Sequence, residues 1–304
     1  MPSTREIRRR ISSAKNISQI TRAMEMVAAA RMRRAQAAVL AGRPYAEKIA
    51  DVIENLASSI QGAGGDTHPL LQARPIQNIA VIMITADKGL AGALNTNIIR
   101  RTTRFILSEA NAPVGIIAVG RKGRDFMVRY GRRLIAEFIK ISDRPSIADT
   151  FPIARVAVDE YTSGRVDAVY LIYTDFVNTL VQRPTVYRLL PVDISQVEEG
   201  GAAPGEGRSE GPIRGPNRVD YIYEPGTTEV LTQLLPRYIE VRIYQALLEH
   251  IASEHSARMV AMRNATDNAK EVISELTLAY NKLRQANITR EIIEVSSGAA
   301  ALTG

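Results

Sequence analysis

Residues 248–283, "LEHIASEHSARMVAMRNATDNAKEVISELTLAYNKL", contain the pattern that decides the fold. Alternating steps of four and three residues from Leu248 reach eleven positions, and nine of them are apolar. They are Leu248, Ala252, His255, Met259, Met262, Thr266, Ala269, Ile273, Leu276, Tyr280 and Leu283. This spacing is typical of a coiled-coil helix. Since neither Gly nor Pro occurs between Pro236 and Gly298, the sequence predicts one very long helix here.

The start of the chain predicts a partner for that helix. Neither Gly nor Pro occurs between Pro2 and Gly42, and a looser apolar seam runs along this stretch. We place it at Ile7, Ile11, Ala14, Ile17, Ile20, Met24, Val27 and Ala28. Two terminal helices with facing apolar stripes, separated by a folded middle, predict an antiparallel coiled coil. At about 1.5 Å per residue the second helix would reach about 90 Å, so most of it needs a partner other than its own globular domain.

The middle of the chain has a different hydrophobic period. Short apolar, β-branched runs at 78–85, 114–119, 168–174 and 185–192 are typical of strands buried on both faces of a parallel sheet. Helices are predicted between the first three runs, at 94–109, 123–131 and 148–164. The fold class is therefore α/β, with a Rossmann-like parallel sheet, plus a long antiparallel two-helix coiled coil formed by the terminal helices.

These patterns divide the chain into four parts. We expect an N-terminal coiled-coil helix at 1–60, an α/β domain at 75–195 and a Gly/Pro-rich loop at 196–219. The remaining part, 220–304, holds a short segment and the C-terminal helix that pairs with 1–60. The Gly/Pro-rich part, clearest at 200–216, predicts a mobile surface loop or linker.

Composition and charge exclude some functions and suggest others. Cysteine is absent, which excludes disulfides and thiolate chemistry within the chain. No apolar run approaches the roughly 18 residues needed to span a bilayer. The formal charge is +7, and residues 1–43 hold ten basic and two acidic side chains. A basic helix of this kind suggests nucleic acid, an anionic membrane or an acidic protein as the partner.

Motifs for catalysis are weak. "ADKGLAGALN" (86–95) follows a predicted strand and opens a helix, as a phosphate-binding loop does, but it lacks the GxGxxG spacing. "HIASEH" (250–255) lacks the HExxH spacing that places two metal ligands on one helical face. We therefore predict no catalytic residues, no cofactor and no metal. A nucleotide-dependent α/β enzyme stays open as an alternative, which calorimetry with ATP or NAD would test.

Several long motifs resemble those of the gamma subunit of F-type ATP synthase. They are "REIRRRISSAKNISQITRAMEMVAAARMRRAQ" (5–36), "TADKGLAGALNTN" (85–97), "PSIADTFPIARVAVDEY" (145–161), "YIYEP" (221–225) and "ARMVAMRNATDNAKEVISELTLAYNKLRQANITREIIEVSSGAAAL" (257–302). The resemblance extends over nearly the whole chain. It implies a central rotor stalk, not itself an enzyme, that transmits torque between an ion-driven c-ring and the alpha/beta catalytic ring.

The resemblance also implies partners and contact residues. The partners are the alpha and beta subunits, the epsilon subunit and the c-ring, with one copy of this chain per complex. The residues expected to meet alpha and beta are Met24, Lys88, Leu90, Arg284, Gln285, Thr289 and Glu291. Those expected at the c-ring and epsilon are Tyr221, Tyr223 and Glu224. The expected location is the cytoplasmic face of the bacterial plasma membrane, with membrane contact only through the c-ring and with no nucleic acid bound.

The sequence departs from the family pattern at a few places. Lys88 replaces a usual arginine, and lysine lacks the planar fork that binds a carboxylate with two parallel hydrogen bonds. Ala91 replaces a usual cysteine, and Ser296 stands where an apolar residue is usual. The alternative function from a different class is a basic coiled coil that binds nucleic acid. Retention on immobilised DNA at about 0.15 M salt would favour that reading, because phosphate contacts depend strongly on salt.

Overall fold

A long helix lies at each end of the chain, and an α/β region lies between the two helices in sequence. The computed structural model describes residues 3–63, 68–192 and 226–303. In chain order its α-helices and β-strands are α1 (Thr4–Ala63), β1 (Ile79–Ile84), α2 (Leu94–Arg104), β2 (Val114–Val119), α3 (Arg121–Arg129), β3 (Leu134–Phe138), α4 (Phe151–Thr162), β4 (Ala168–Phe176), β5 (Gln182–Leu190) and α5 (Thr227–Thr303). This arrangement confirms the predicted fold class. None of the described helices combines the length and the apolar character that crossing a bilayer requires.

The five strands form one mixed sheet in the order β3-β2-β1-β4-β5. β1 pairs in parallel with β2 and β4, and β2 pairs in parallel with β3. β5, by contrast, is antiparallel to β4. The prediction of a parallel sheet was therefore wrong for the strand at 185–192. A short turn joins β4 to β5, and a connection this short allows only antiparallel pairing because a parallel partner needs a crossover.

Two apolar cores lie on the two faces of the sheet. Alternate residues of β1 enter different cores: Ile82 lies in the core shared with α1, α4 and α5, and Met83 lies in the core shared with α2 and α3. All six residues of β1 are buried, which explains its uninterrupted apolar sequence. β3 was missed because it is a short edge strand with mostly half-exposed residues, and such a strand lacks the apolar run that identifies a buried one.

Both terminal helices continue past residues that normally end helices. α1 runs through Gly42 and contains Pro44, and α5 begins before Pro236. Proline in a helix removes a hydrogen bond and clashes with the preceding turn. Both helices continue because residues on the far side of each proline are packed in the sheet core. Ile53, after Pro44, and Leu235, just before Pro236, are fully buried. Tertiary packing thus overrides the local preference.

The chain divides into two compact units. One comprises Met1–Ala28 together with Arg258–Gly304, and the other comprises Ala29–Ala257. We refer to them as the helix-pair unit and the sheet unit. Each terminal helix contributes residues to both units.

Candidate partner interface

The helix-pair unit contains the predicted antiparallel pairing. The Arg8 guanidinium donates a hydrogen bond to the Tyr280 hydroxyl (2.6 Å), and the hydroxyls of Thr21 and Thr266 share one at 2.7 Å. Farther along, the Arg263 guanidinium donates to the Glu25 carboxylate at 2.9 Å. Residue numbers rise along α1 as they fall along α5, so the two helices run in opposite directions.

The seam of α5 follows the predicted heptad spacing. From Met262 onward its members Thr266, Ala269, Ile273 and Leu276 are buried or half-buried, whereas most residues between them are exposed. The pattern differs farther back, in the sheet unit, where every residue from 246 to 253 is buried. There α5 joins the sheet core through Ala246, Leu247, Ile251 and Ala252. The coiled-coil spacing therefore describes α5 only in the helix-pair unit.

The seam of α1 departs from the prediction. Ile7 and Ala14 are buried as expected, but Ile17 is 53% exposed and Ile20 is 59% exposed. Strict steps of four and three residues from Ile7 pass through Ser18 and Thr21 instead, and Thr21 is buried. Val27 is likewise exposed while its neighbour Ala28 is buried. The predicted seam followed the largest apolar side chains, whereas the buried positions of α1 follow the regular steps of four and three residues.

Ile17, Ile20 and Val27 share one outward face of α1. Their separations of three and seven residues place them in one row along the helix. We call this row the isoleucine stripe. Met24, predicted as a contact residue, belongs to the same row and is half-buried. The stripe therefore presents apolar surface to water in the isolated chain, on a helix that is otherwise strongly basic.

The other predicted contact residues lie on separate surfaces. Arg284, Gln285, Thr289 and Glu291 are all exposed on α5. The pairing of Arg8 with Tyr280 sets a register in which the last two lie beyond Thr4, the first residue of α1. Met24 is several turns away from them along the pair. The structure does not bring these predicted contacts together into one patch. Tyr221, Tyr223 and Glu224 fall outside the described residues.

Lys88 and Leu90 lie in the loop between β1 and α2 of the sheet unit, and both side chains are exposed. Leu90 has a left-handed backbone, with φ 62°. The loop is held from behind, because the Asn95 side-chain oxygen accepts a hydrogen bond from the Ala86 amide at 3.0 Å. This bond ties the loop to α2, so Lys88 and Leu90 face outward from a fixed base.

The carboxylate of Asp87 lies at the N-terminus of α3, and a helix N-terminus is also where dinucleotide-binding domains hold a phosphate. The Asp87 carboxylate accepts hydrogen bonds from the backbone amides of Arg121, at the start of α3, and of Lys140, both at 2.8 Å. The amides of helix N-termini are the groups that hold phosphates in such domains. Here a side chain of the protein itself is the anion.

The glycines beside this helix serve packing. Gly120 has φ 97°, and a Cβ there would lie 1.9 Å from the carbonyl oxygen of Thr85. A Cβ on Gly123 would lie 2.4 Å from Cε of Met83. Both glycines therefore let α3 and the end of β2 approach β1 closely. This close packing accounts for glycine at both positions.

Sequence reasoning missed a buried polar cluster where α5 packs on β4. Glu249 and Asp175 are both buried, and Tyr173 and Arg242 lie beside them. Burial raises the pKa of Glu249 to about 7, and the nearby Asp175 adds to the shift. The signal was available as Glu249, Ser253 and Ser256, which are spaced four and three residues apart on one face of α5.

The residues that the structure describes contain no cluster of three or more His, Cys, Asp or Glu side chains able to hold a metal. His255, which the sequence places on the seam, is buried. His250 is 1% exposed, and neither ring nitrogen has a hydrogen-bond partner among the residues that the structure describes. Burial lowers the pKa of His250 to about 3, so its imidazole is neutral.

Comparison with known proteins supplies the family. The profile of the ATP synthase family matches residues 3–302. The ATP synthase gamma chain of Roseiflexus sp. (strain RS-1) is 54% identical over 305 residues, covering 99% of each chain. That of Chloroflexus aurantiacus (strain J-10-fl) is 48% identical over 305 residues and covers 100% of each chain.

Solved structures agree in fold. A chain of the Tetrahymena thermophila mitochondrial ATP synthase central stalk and c-ring is 27% identical and has a TM-score of 0.61, covering 81% of this chain and 99% of that one. A chain of the Euglena gracilis mitochondrial ATP synthase is 19% identical, with a TM-score of 0.65 over 98% of this chain and 94% of that one, and it supports the fold alone. Nucleic-acid binding gains no support from these relatives. With a family match that extends over nearly all of its length and with close relatives that carry one name, this chain belongs to the family of ATP synthase gamma chains.

Proposed function

We propose that the helix pair of this gamma chain carries torque by presenting different surfaces in different directions. As a gamma chain, the protein is a non-catalytic central-stalk subunit, and it couples ATP synthesis or hydrolysis on other chains to rotation driven by an ion-translocating c-ring. The observation that carries the proposal is the one-sided isoleucine stripe on a paired helix. A shaft with identical sides could not bias three surrounding sites differently, because a conformational shift requires differential contact.

The stripe gives the helix pair its asymmetry. Ile17, Ile20 and Val27 are each more than half exposed, and they lie on one face of α1. The same region carries most of the excess positive charge of the chain. An apolar row next to basic side chains would make different contacts with an acidic, partly apolar partner as it turned. Apolar side chains at this exposure also cost free energy in water, which contact with a partner would recover.

The contact residues follow from this reading. We assign Met24, Lys88, Leu90, Arg284, Gln285, Thr289 and Glu291 to contacts with the alpha and beta subunits. Their exposure, or half-exposure for Met24, supports the assignment. We assign Tyr221, Tyr223 and Glu224 to the c-ring and the epsilon subunit on the sequence motif alone. The four-part division at 1–60, 75–195, 196–219 and 220–304 belongs to the same proposal.

The proposed setting is a rotary complex with one copy of this chain. Solved relatives include chains from assemblies of a central stalk with a c-ring, which supports membership of such a complex. We place the chain on the cytoplasmic face of a bacterial plasma membrane, where it would contact the bilayer only through the c-ring. The coupling ion is a proton or sodium.

Substitution of the stripe tests the function directly. We would replace Ile17, Ile20 and Val27 by serine, reconstitute the chain with its alpha and beta subunits, and measure ATP hydrolysis together with the torque of ATP-driven rotation. We expect the complex to assemble and the torque to fall, because the seam side chains that pair the helices are unchanged. Val128→Ser, which removes an exposed apolar side chain from α3, serves as the control and leaves torque intact.

A truncation gives a second readout. Ending the chain at Ile292 removes the last turns of α5, which are exposed where the structure describes their side chains. We expect this truncation to lower torque or coupling more than assembly. Unchanged torque in both the stripe variant and the truncated chain would contradict the proposal.

A further inference from the structure

The start of α1 is secured in three ways. The Ser3 hydroxyl oxygen accepts a hydrogen bond from the Glu6 amide at 3.3 Å, so it caps the helix. Ile7 is 5% exposed and occupies the seam. Arg8 then crosses to Tyr280 of α5. Helix ends are normally the first parts of a protein to open. This end is capped, buried and bonded across the pair.

Two interactions join Arg8 to Tyr280. The guanidinium donates a hydrogen bond to the tyrosine hydroxyl at 2.6 Å, and its Cζ lies over the ring, 5.4 Å from the ring centroid. At that distance the cation is attracted to the face of the ring as well as to the hydroxyl. Tyr280 is half-buried, so part of its ring packs in the seam. One side chain of α5 therefore both packs against α1 and bonds to it.

The seam that follows this contact is weakly packed. Between Arg8 and Thr21, the buried or half-buried residues of α1 are Ile11, Ala14 and Ser18. Alanine and serine bury little apolar area, and stabilisation by burial is proportional to that area. Among the residues that the structure describes, no hydrogen bond or ion pair joins the two helices within this stretch. Its far end therefore depends on the contact at Arg8.

The same contact lies close to the place where two helices become one. α1 has only four residues before Arg8, whereas α5 continues for twenty-three residues past Tyr280, about 35 Å of helix. Every residue from 288 to 298 is exposed. A twisting force applied to this single part of α5 therefore enters the helix pair at Arg8 and Tyr280.

We propose that Arg8 and Tyr280 are positioning residues for torque. They form a clasp that keeps the first turns of α1 on α5 under load, and so they set where the two-helix part of the shaft ends. The mechanical part of this inference rests on the proposed rotary function, whereas the clasp itself is a property of the chain alone. Without the clasp, the first turns of α1 would lift away and the single-helix part of α5, which twists more easily, would become longer.

A tyrosine suits this position on a basic helix. A carboxylate at 280 would also bond to Arg8, but it would cancel one of the positive charges that favour an acidic partner. A tyrosine hydroxyl accepts the bond and is uncharged at neutral pH. Salt screens the attraction between two opposite charges. A bond from a guanidinium to a neutral oxygen is therefore less sensitive to salt than an ion pair.

Hydrogen exchange on the purified full-length chain tests the clasp. Tyr280→Phe keeps the ring and removes only the hydroxyl, so the amides from Arg8 to Ile11 should exchange roughly threefold to tenfold faster. Arg8→Gln should have at least this effect. Arg8→Lys, which keeps the charge and a donor, should fall between Arg8→Gln and the parent.

Arg9→Gln is the matched control. It removes the same charge from the next position, and Arg9 forms no hydrogen bond or ion pair with any residue that the structure describes. Exchange in this variant should equal that of the parent. Unchanged exchange in Tyr280→Phe, or equal acceleration in Arg9→Gln, would overturn the clasp.

Salt separates the clasp from an ion pair. Glu25→Gln breaks the pair with Arg263 elsewhere in the same unit, and its effect on nearby amides should shrink between about 0.05 and about 0.5 M salt. The acceleration caused by Tyr280→Phe should stay the same over this range. If it disappears at high salt, the bond to a neutral hydroxyl does not hold α1 in place.

Single-molecule measurements test the mechanical part. The Tyr280→Phe chain is assembled with its alpha and beta subunits, and the angular fluctuation of a probe fixed to the sheet unit is recorded in the stalled complex. We expect wider fluctuation than in the parent, with unchanged assembly and an unchanged melting temperature. Tyr130→Phe is the control, because Tyr130 is 64% exposed and its hydroxyl forms no hydrogen bond within the described part of the chain.

The two measurements keep the inference separate from the proposed function. Faster exchange in Tyr280→Phe without wider fluctuation would overturn the positioning role, and it would leave the isoleucine stripe unaffected. Failure of the stripe variant to lower torque would instead reject the proposed function, while the exchange results on the isolated chain would stand.

Discussion

The sheet unit and the helix-pair unit differ in where they place apolar side chains. In the sheet unit, β1 is buried along its whole length, and the two faces of the sheet are covered by two apolar cores. In the helix-pair unit, burial is confined to one seam, while Ile17 and Ile20 face outward. The sheet unit can be stabilised by its own core. The helix-pair unit gives up that stabilisation and keeps apolar surface available for contact.

The seam of the helix pair is itself partly polar. Thr21 and Thr266 occupy buried positions and bond to each other across the two helices. A polar pair at a seam position contributes less burial than two aliphatic side chains would, but it favours one register. The difference between the units teaches that the sheet region is built for stability, and that the helix pair is built for defined geometry with an exposed surface.

The largest effect should come from breaking the close packing of the sheet unit. Gly120→Ala would place a methyl group within bonding distance of the Thr85 carbonyl at a left-handed φ, so we expect a loss of about 4 kcal/mol in the free energy of unfolding. Gly131→Ala has φ 64° but nothing within 4 Å, and it should cost about 1 kcal/mol. Hydrogen exchange of the β1 and β2 amides measures both. Equal costs would mean that close packing at Gly120 contributes little.

A second test uses the buried carboxyl of the sheet unit. The folded-state pKa of Glu249, about 7, lies above its ordinary value of 4.5, so the folded protein holds a proton that the unfolded chain has released. Stability from this group is therefore lost as pH rises from about 4.5 through about 7, and the loss is complete above that. Glu249→Gln should thus gain stability relative to the parent over this range, by up to roughly 3 kcal/mol.

Urea denaturation of both proteins at several pH values checks this difference. The groups that face Glu249 are Asp175, Arg242, Gln245 and Tyr173, and all four are kept in both proteins. His250, whose stabilising effect grows as pH rises from about 3 to 6.5, is kept in both proteins as well. Glu271→Gln, which removes a carboxyl from an exposed part of α5, is the control. A flat difference for Glu249→Gln would mean that the pKa of this carboxyl is the same in the folded and the unfolded chain.

The smallest effect concerns the threonine pair. Thr21→Val and Thr266→Val should each cost about 0.5–1 kcal/mol, because each removes the hydrogen bond between the helices. The double variant should cost less than the sum, with a coupling of about 1 kcal/mol. Thr277→Val is the matched control, since among the residues that the structure describes the Thr277 hydroxyl donates only to the Ile273 carbonyl of its own helix, at 2.7 Å. Hydrogen exchange of the helix amides measures the stability of the two single variants and the double variant. Additive costs would show that the two threonines do not interact.

Much of this architecture could be predicted from periodicity. Both long helices, the α5 seam and the strands β1, β2 and β4 were predicted, because long repeats and continuous apolar runs are strong local signals. The features that the sequence did not predict correctly are those that depend on tertiary contacts. β3 is a short edge strand, β5 takes its direction from a turn, and α1 continues past Pro44 because of core packing. Ile17 and Ile20 were misplaced because hydrophobicity was weighted above spacing.

The candidate sites divide in the same way. Exposed residues such as Lys88 and Arg284 could be proposed from motifs that are contiguous in sequence. Asp87, His250 and Glu249 could not, because their environments are formed by elements far apart in the chain. Asp87 reaches amides more than thirty and more than fifty positions away. Nothing in the local sequence records such distances.

The isoleucine stripe also affects the chain before it has partners. A newly synthesised copy exposes this row of apolar side chains to water, and such surfaces associate with one another or are bound by chaperones and proteases. The apolar surface that suits a rotary complex therefore makes the unassembled subunit prone to aggregation and degradation. Timely assembly becomes a condition of its survival.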